Sequence, residues 1–85
     1  MERRNSLEIT AEILTIAESG AKKSHIAYQA NLNHKFLGRY LDRLEEQGLI
    51  KKEAKQRGKI LATEKGIMFA QQYRNLLQFQ SGNQG

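Results

Sequence analysis

Cysteine is absent from the 85-residue sequence, and histidine occurs only twice, as His25 and His34. No disulfide or thiolate metal site can therefore form, and the two histidines lack the HExxH spacing of a zinc protease. The four serines have no evident base and acid partners in a triad-like context, and no glycine-rich phosphate loop occurs. We therefore expect neither a metal nor another cofactor, no small-molecule substrate and no enzymatic activity.

Long apolar runs are missing too. No stretch approaches the roughly 20 apolar residues that span a bilayer. The N-terminal residues lead into an amphipathic segment with Glu8 and Glu12 rather than into a signal peptide. We therefore expect a cytoplasmic protein without a membrane partner. A single domain of this size has a modest core and no disulfide to support it, so oligomerisation is the expected supplement.

Acidic residues are scarce in the middle of the chain, where the positive charge is concentrated. The formal net charge of the whole sequence is +5. Residues 20–61 hold ten basic and four acidic side chains, whereas residues 1–19 hold two basic and four acidic ones. Localised positive charge is better evidence for nucleic-acid binding than a high net charge alone. The distribution therefore favours a polyanionic partner at the middle of the chain.

The stretch of residues 31–48 has the start and stop signals of a short helix. Asn33 is a good N-cap, and Gly48 suits the left-handed position after a helix end. Between them the apolar residues recur at spacings of three and four, as in a buried stripe: Leu37, Tyr40, Leu41 and Leu44. The opposite face, whose leading half is basic, comprises His34, Lys35, Gly38, Arg39 and Arg43. This pattern fits either an ordinary surface helix or the recognition helix of a DNA-binding motif.

Two further helices are predicted before this one. The first covers residues 6–19 and ends in a turn at residues 20–21. The second covers residues 22–29, and its inward residues are Ile26, Ala27 and Tyr28. A turn at residues 30–32, where Asn31 tolerates the left-handed conformation, leads into the third helix. Two helices joined by so short a turn form a helix-turn-helix.

A basic hairpin is predicted after the third helix. Residues 49–55 and 59–63 have the composition of short strands, and Gly58 supplies the positive φ of a tight loop at residues 56–58. The basic residues of this hairpin are Lys51, Lys52, Lys55, Arg57 and Lys59. A basic hairpin after a helix-turn-helix is the wing of a winged helix. We therefore predict a mainly α winged helix-turn-helix with a small β-hairpin between the third and fourth helices.

The last helix, residues 64–79, follows a cap at Thr63 and has apolar residues around an arc of roughly 200°. A helix packed only on its own domain needs little more than 100°. The excess favours a homodimer with these contact residues: Met68, Phe69, Tyr73, Leu76, Leu77 and Phe79. The alternative is that Met68 and Phe79 are isolated exposed apolar residues. The predicted parts of the chain are a basic arm at residues 1–5, a winged helix-turn-helix at 6–63, a dimerisation helix at 64–79 and a disordered tail at 80–85.

Three segments carry a family resemblance: LEITAEIL, GAKKSHIAYQANLNHKFLGRYLDRLEEQGLI and ATEKG. They are similar to the small archaeal winged-helix DNA-binding proteins whose C-terminal helices pair as an antiparallel coiled coil. The resemblance covers residues 6–79. It implies a homodimer that binds double-stranded DNA in transcriptional regulation or nucleoid organisation, and hence a nucleoid-associated location.

On this interpretation each basic group has a place on the DNA. His34, Lys35 and Arg39 would approach base edges and phosphates in the major groove. Gly38 would let the backbone come close, and Arg43 belongs to the same interface. The start of the second helix would bind phosphate through Lys22, Lys23 and Ser24. The wing would meet the minor groove or the flanking backbone through Lys55, Arg57 and Lys59.

Two other binding functions stay open at this point. A winged helix can serve as a protein–protein adaptor, but protein interfaces are depleted in lysine and this hairpin is rich in it. RNA binding is the second alternative. Readers of single-stranded RNA need exposed aromatic side chains for stacking, and Phe36 is the only one expected near the basic face. Duplex DNA is therefore the partner that we expect.

Overall fold

The computed structural model of the chain describes residues 5–53, 55 and 58–82. Within these residues the elements are α1 (Ser6–Ile16), α2 (Lys23–Ala30), α3 (His34–Glu46), β1 (Ile50–Glu53), β2 (Lys59–Ala62) and α4 (Glu64–Gly82). The predicted mainly α fold, with an antiparallel hairpin between the third and fourth helices, is confirmed. None of the described helices combines the length and the apolar character that crossing a bilayer requires.

Local signals set the helix starts and the corner between α2 and α3. The Asn5 side chain accepts a hydrogen bond from a first-turn amide of α1 at 2.8 Å. Asn33 accepts from two first-turn amides of α3 at 2.8 and 3.2 Å, and the Thr63 hydroxyl accepts from the Gly66 amide at 3.1 Å. These caps satisfy amides that have no partner within the helix. Asn31 takes the predicted left-handed conformation, with a φ of 55°.

The core lies where the helices meet the hairpin, and it includes Ala70 of α4. Its largest fully buried side chains are Ile13, Leu14, Ile26, Leu37, Leu41 and Ile50. Burial of one such side chain stabilises the fold by about 1.5–3 kcal/mol. Tyr28 is 82% exposed, so its predicted inward position is wrong. It follows the buried Ile26 by two residues, which places it about 200° away around the helix.

The segment between α1 and α2 also differs from the prediction. α1 ends at Ile16 rather than near Ser19, and Ala21 pairs with Ile60 of β2 instead of lying in a simple turn. The Ala21 amide donates to the Ile60 carbonyl at 2.9 Å, and the Ile60 amide donates back at 2.8 Å. Gly20, with a φ of +95°, makes the change of direction that this pairing requires. The pairing holds the hairpin to the helical part of the fold.

Two four-residue strands form the hairpin, with Ile50 of β1 opposite Ala62 of β2. Both side chains are buried, so this end of the hairpin faces the core. Both strands are shorter than predicted. At the start of β1 the Leu49 amide donates to the Leu44 carbonyl in the last turn of α3. Gly58 has the predicted positive φ, at +74°.

α4 is longer than predicted and packs closely against the hairpin at its start. It continues to Gly82, three residues beyond the predicted end at Phe79, so residues 80–82 are helical rather than part of a disordered tail. Its 19 residues make a helix about 28 Å long. A Cβ on Gly66 would overlap the Leu49 carbonyl oxygen. This glycine therefore sets how closely α4 approaches the hairpin.

Replacing Gly66 by alanine should lower the free energy of unfolding by about 1–3 kcal/mol, because the added methyl group overlaps backbone. The loss opposes the gain of about 1 kcal/mol that alanine normally brings to a helix. Gly38→Ala in α3 is the matched control, since a Cβ there meets only the end of the flexible Lys23 side chain. Urea denaturation gives the free energy of unfolding of both variants. Equal free energies of unfolding for Gly66→Ala and Gly38→Ala would contradict the close packing at Gly66.

Candidate nucleic-acid interface

The outer face of α3 carries three cationic side chains at intervals of four residues: Lys35, Arg39 and Arg43. All three are exposed, while Leu37 and Leu41 on the opposite face are 0% and 2% exposed. The leucine stripe turns these basic positions outward. Among the described residues they form no ion pair. Their charge is therefore available to a polyanion.

The start of α2 lies beside the same face. The Lys23 ammonium is 3.0 Å from the position that a Cβ of Gly38 would take. The missing side chain of Gly38 thus leaves room for this cation against the α3 backbone. Lys22 and Ser24 flank Lys23 and are exposed. The structure therefore brings Lys23, one of the three predicted phosphate contacts at the start of α2, next to the cationic face of α3.

A groove of about 490 Å³ separates α3 from the hairpin. Its charged and titratable lining consists mainly of Lys23, His34, Lys35, Arg39 and Lys52, with Asp42 as the acidic member. A groove lined by one sign of charge concentrates the field and attracts ions of the opposite sign. No group of three or more potential metal ligands occurs in the described part of the chain. The groove is thus suited to an anionic partner.

Lys52 of β1 uses its charge within the protein. Its ammonium contacts the carboxylates of Asp42 at 2.8 Å and Glu45 at 3.6 Å, both on α3. The hydrogen bond from Lys52, reinforced by its charge, lowers the pKa of Asp42, and the same hydrogen bond raises the pKa of Lys52. Both groups therefore stay charged at neutral pH. Lys51 pairs with Glu53 at 3.3 Å, so neither lysine is a free cation of the hairpin.

The other predicted wing residues differ in their surroundings. Lys55 is exposed, whereas Lys59 is half-buried. The Lys59 stem packs beside Gly20, with its Cδ 3.2 Å from the position of a Gly20 Cβ. Arg57 lies outside the described residues. Lys55 is therefore the described wing cation that is both exposed and unpaired.

On its other flank α3 is fixed to α1 by Tyr40. The Tyr40 hydroxyl donates to the Ser6 carbonyl at 2.8 Å. Because this hydroxyl has one hydrogen, the Thr10 hydroxyl is the donor in their own 2.8 Å contact. The sequence analysis put Tyr40 in the buried stripe of α3 but did not predict its hydrogen bonds to α1. No local pattern indicates them, since Ser6 lies 34 residues earlier.

The predicted dimerisation residues of α4 fall into two sets. Phe69 packs against the core of its own domain, and Tyr73 is half-buried. The other four have 45–66% of their surface exposed: Met68, Leu76, Leu77 and Phe79. Every residue in the range 74–79 is exposed. This part of α4 therefore has apolar side chains that the domain covers only in part.

Comparison with known proteins agrees with this architecture. The model of the winged helix-turn-helix family matches residues 3–81. Among solved structures, wild-type ZitR of Lactococcus lactis is similar, with 26% sequence identity and a TM-score of 0.64. The similarity covers 99% of this chain, which spans 64% of the length of the ZitR chain. No curated protein matches the sequence significantly. Because the family match extends over nearly the whole sequence, the chain belongs to the winged helix-turn-helix family.

Proposed function

We propose that the protein is a homodimeric regulator that binds double-stranded DNA, with α3 in the major groove and the wing on the flanking backbone or minor groove. Membership of the winged helix-turn-helix family supports a DNA-binding protein without enzymatic activity. The finer parts of the proposal are the dimer, the groove contacts and a role in transcription or nucleoid organisation. They are supported by the charge distribution and by the apolar surface of α4.

One observation carries the proposal: exposed cations of α3 lie beside a groove that further cations line, and Asp42, the acidic residue of that groove, is paired. Lys52 contacts both Asp42 and Glu45, so their negative charge is offset. Duplex DNA carries one negative charge per about 1.7 Å of its length. A mainly cationic surface suits such a partner better than it suits a protein interface, where lysine is depleted.

The start of α3 is the part that we expect to enter the major groove, since N-terminal residues of a recognition helix contact base edges. His34 and Lys35 lie in its first turn and Arg39 in the second, and all three are exposed. Arg39 can read guanine with two hydrogen bonds. Phosphate contacts would then come from Lys22, Lys23, Ser24, Arg43, Lys55, Arg57 and Lys59.

Dimerisation through α4 is the second part of the proposal. Beyond Ala70, none of the residues up to Phe79 is buried, although Leu76 and Leu77 are apolar. A helix end with little tertiary packing is marginal in water, so a covering partner would stabilise it. A second copy offers the same apolar surface, and two-fold symmetry would present two α3 helices to one duplex.

Arg39→Ala should weaken binding to a preferred site by about 1–3 kcal/mol if Arg39 reads a guanine. Lys55→Ala is the matched control, because a wing cation that meets phosphate should lose the same affinity on every duplex. Fluorescence anisotropy at one stated salt concentration compares a selected site with random duplex for both variants. Base readout by Arg39 is ruled out if both variants lose equal affinity on the two duplexes.

The double change Leu76→Glu and Phe79→Glu should produce a monomer, because two carboxylates buried at a symmetric contact are strongly unfavourable. DNA affinity should fall by about 100-fold, since each monomer keeps only one half-site. Circular dichroism should still show the helical core, because neither side chain is buried in the domain. Analytical ultracentrifugation gives the oligomeric state.

The matched control for this pair is Gln71→Glu with Gln78→Glu. Both glutamines are exposed on α4. They are seven positions apart and so share one face, about 140–160° around the helix from Leu76 and about 80–100° from Phe79. This control adds the same charge and should remain dimeric. A wild type that is monomeric at micromolar concentration, or a Leu76/Phe79 variant that stays dimeric, would contradict dimerisation through α4.

A further inference from the structure

Phe36 is an exposed aromatic residue in the first turn of α3, and the contacts proposed above give it no role. Its exposed fraction is 44%, whereas the leucines of α3 are 0–2% exposed. On this flank of α3 a groove of about 410 Å³ is lined by Phe36 together with Lys35, Arg39 and Arg43. An apolar ring thus lies among the cations of the proposed interface.

The ring of Phe36 is held in place from behind. It packs against the ring of Tyr40, with a centroid separation of 5.4 Å and an interplanar angle of 50°. Tyr40 is in turn fixed by its hydrogen bonds to Ser6 and Thr10. A side chain that is already ordered loses little conformational entropy when it binds. Phe36 therefore has the rigidity of a contact residue rather than that of a loose surface side chain.

The chemistry of the ring limits what Phe36 can recognise in a major groove. It has no hydrogen-bonding group, so phosphates and the polar edges of guanine, cytosine and adenine offer it no specific partner. The apolar group that the major groove displays is the C5-methyl group of thymine. Stacking on an extruded base is the other possibility, but unstacking a paired base costs a few kcal/mol. The methyl contact requires no such distortion.

We infer that Phe36 contacts the C5-methyl group of a thymine in the major groove and so gives the protein a preference for an A·T pair at one position of each half-site. The inference rests on the proposed function, because it requires α3 to lie in the major groove. Phe36 would then recognise an apolar group of the DNA, whereas the other residues of this surface recognise charged and hydrogen-bonding groups.

The test compares two duplexes that differ only in methyl groups. One is a site that the wild-type protein selects from random DNA, and the other is the same site with deoxyuridine in place of every thymidine. Wild type should bind the uridine duplex about fourfold more weakly for each methyl group that Phe36 contacts. Phe36→Ala should bind the thymidine duplex more weakly than wild type and should bind both duplexes equally. Lys55→Ala should weaken binding to both and keep the wild-type ratio.

The outcomes separate this inference from the function on which it rests. Equal binding of the two duplexes by wild type would overturn the thymine contact, and this comparison needs no variant to fold. An unchanged ratio in Phe36→Ala would overturn it as well, since another residue would then meet the methyl group. If Phe36→Ala lost affinity only for single-stranded DNA of the same sequence, the ring would stack on an unpaired base, and the thymine contact would be overturned. Failure of wild type to bind any duplex would instead overturn the proposed function.

Discussion

The rotational setting of α3 about its own axis determines which side chains the protein presents to a partner. Leu37, Leu41 and Leu44 are 0–2% exposed, and burial of each contributes about 1.5–3 kcal/mol. A rotation by one residue, about 100°, would expose this stripe and carry Lys35 or Arg43 towards the core. An unpaired charge in the core costs several kcal/mol. Burial of the leucines on one side of α3 therefore determines that the basic side chains on the other side face the solvent.

Two interactions between the hairpin and the elements around this face have different effects. Backbone pairing between Ala21 and Ile60 joins β2 to the segment just before α2, and Lys52 of β1 contacts Asp42 of α3. Because Asp42 is exposed, the ion pair adds little to stability. Its main effect is to offset an acidic group inside a groove that is otherwise cationic. The backbone pairing thus fixes the position of the wing, and the ion pair makes its surroundings more favourable to an anion.

Sequence reasoning succeeded where a local signal determines local structure. The Asn33 cap acts on amides two and three residues away, so the start of α3 can be read directly from the sequence. The pairing of Ala21 with Ile60 depends on how distant segments pack, and no short pattern contains it. The concentration of basic residues in the middle of the chain can be seen in the sequence, but the sequence does not show which of them form ion pairs. Only the folded chain brings Lys52 to Asp42 and so separates the paired lysines from the free ones.

The most direct measurement is the salt dependence of affinity for duplex DNA, because the central claim is that the cationic face neutralises phosphates. Each phosphate that is neutralised releases condensed counterions, so log affinity falls linearly with log salt concentration. A dimer whose protomers each neutralise about five phosphates should give a slope of about −9. A slope shallower than about −2 would mean that few phosphates are neutralised. The face formed by α3, the start of α2 and the wing would then not be the surface that binds DNA.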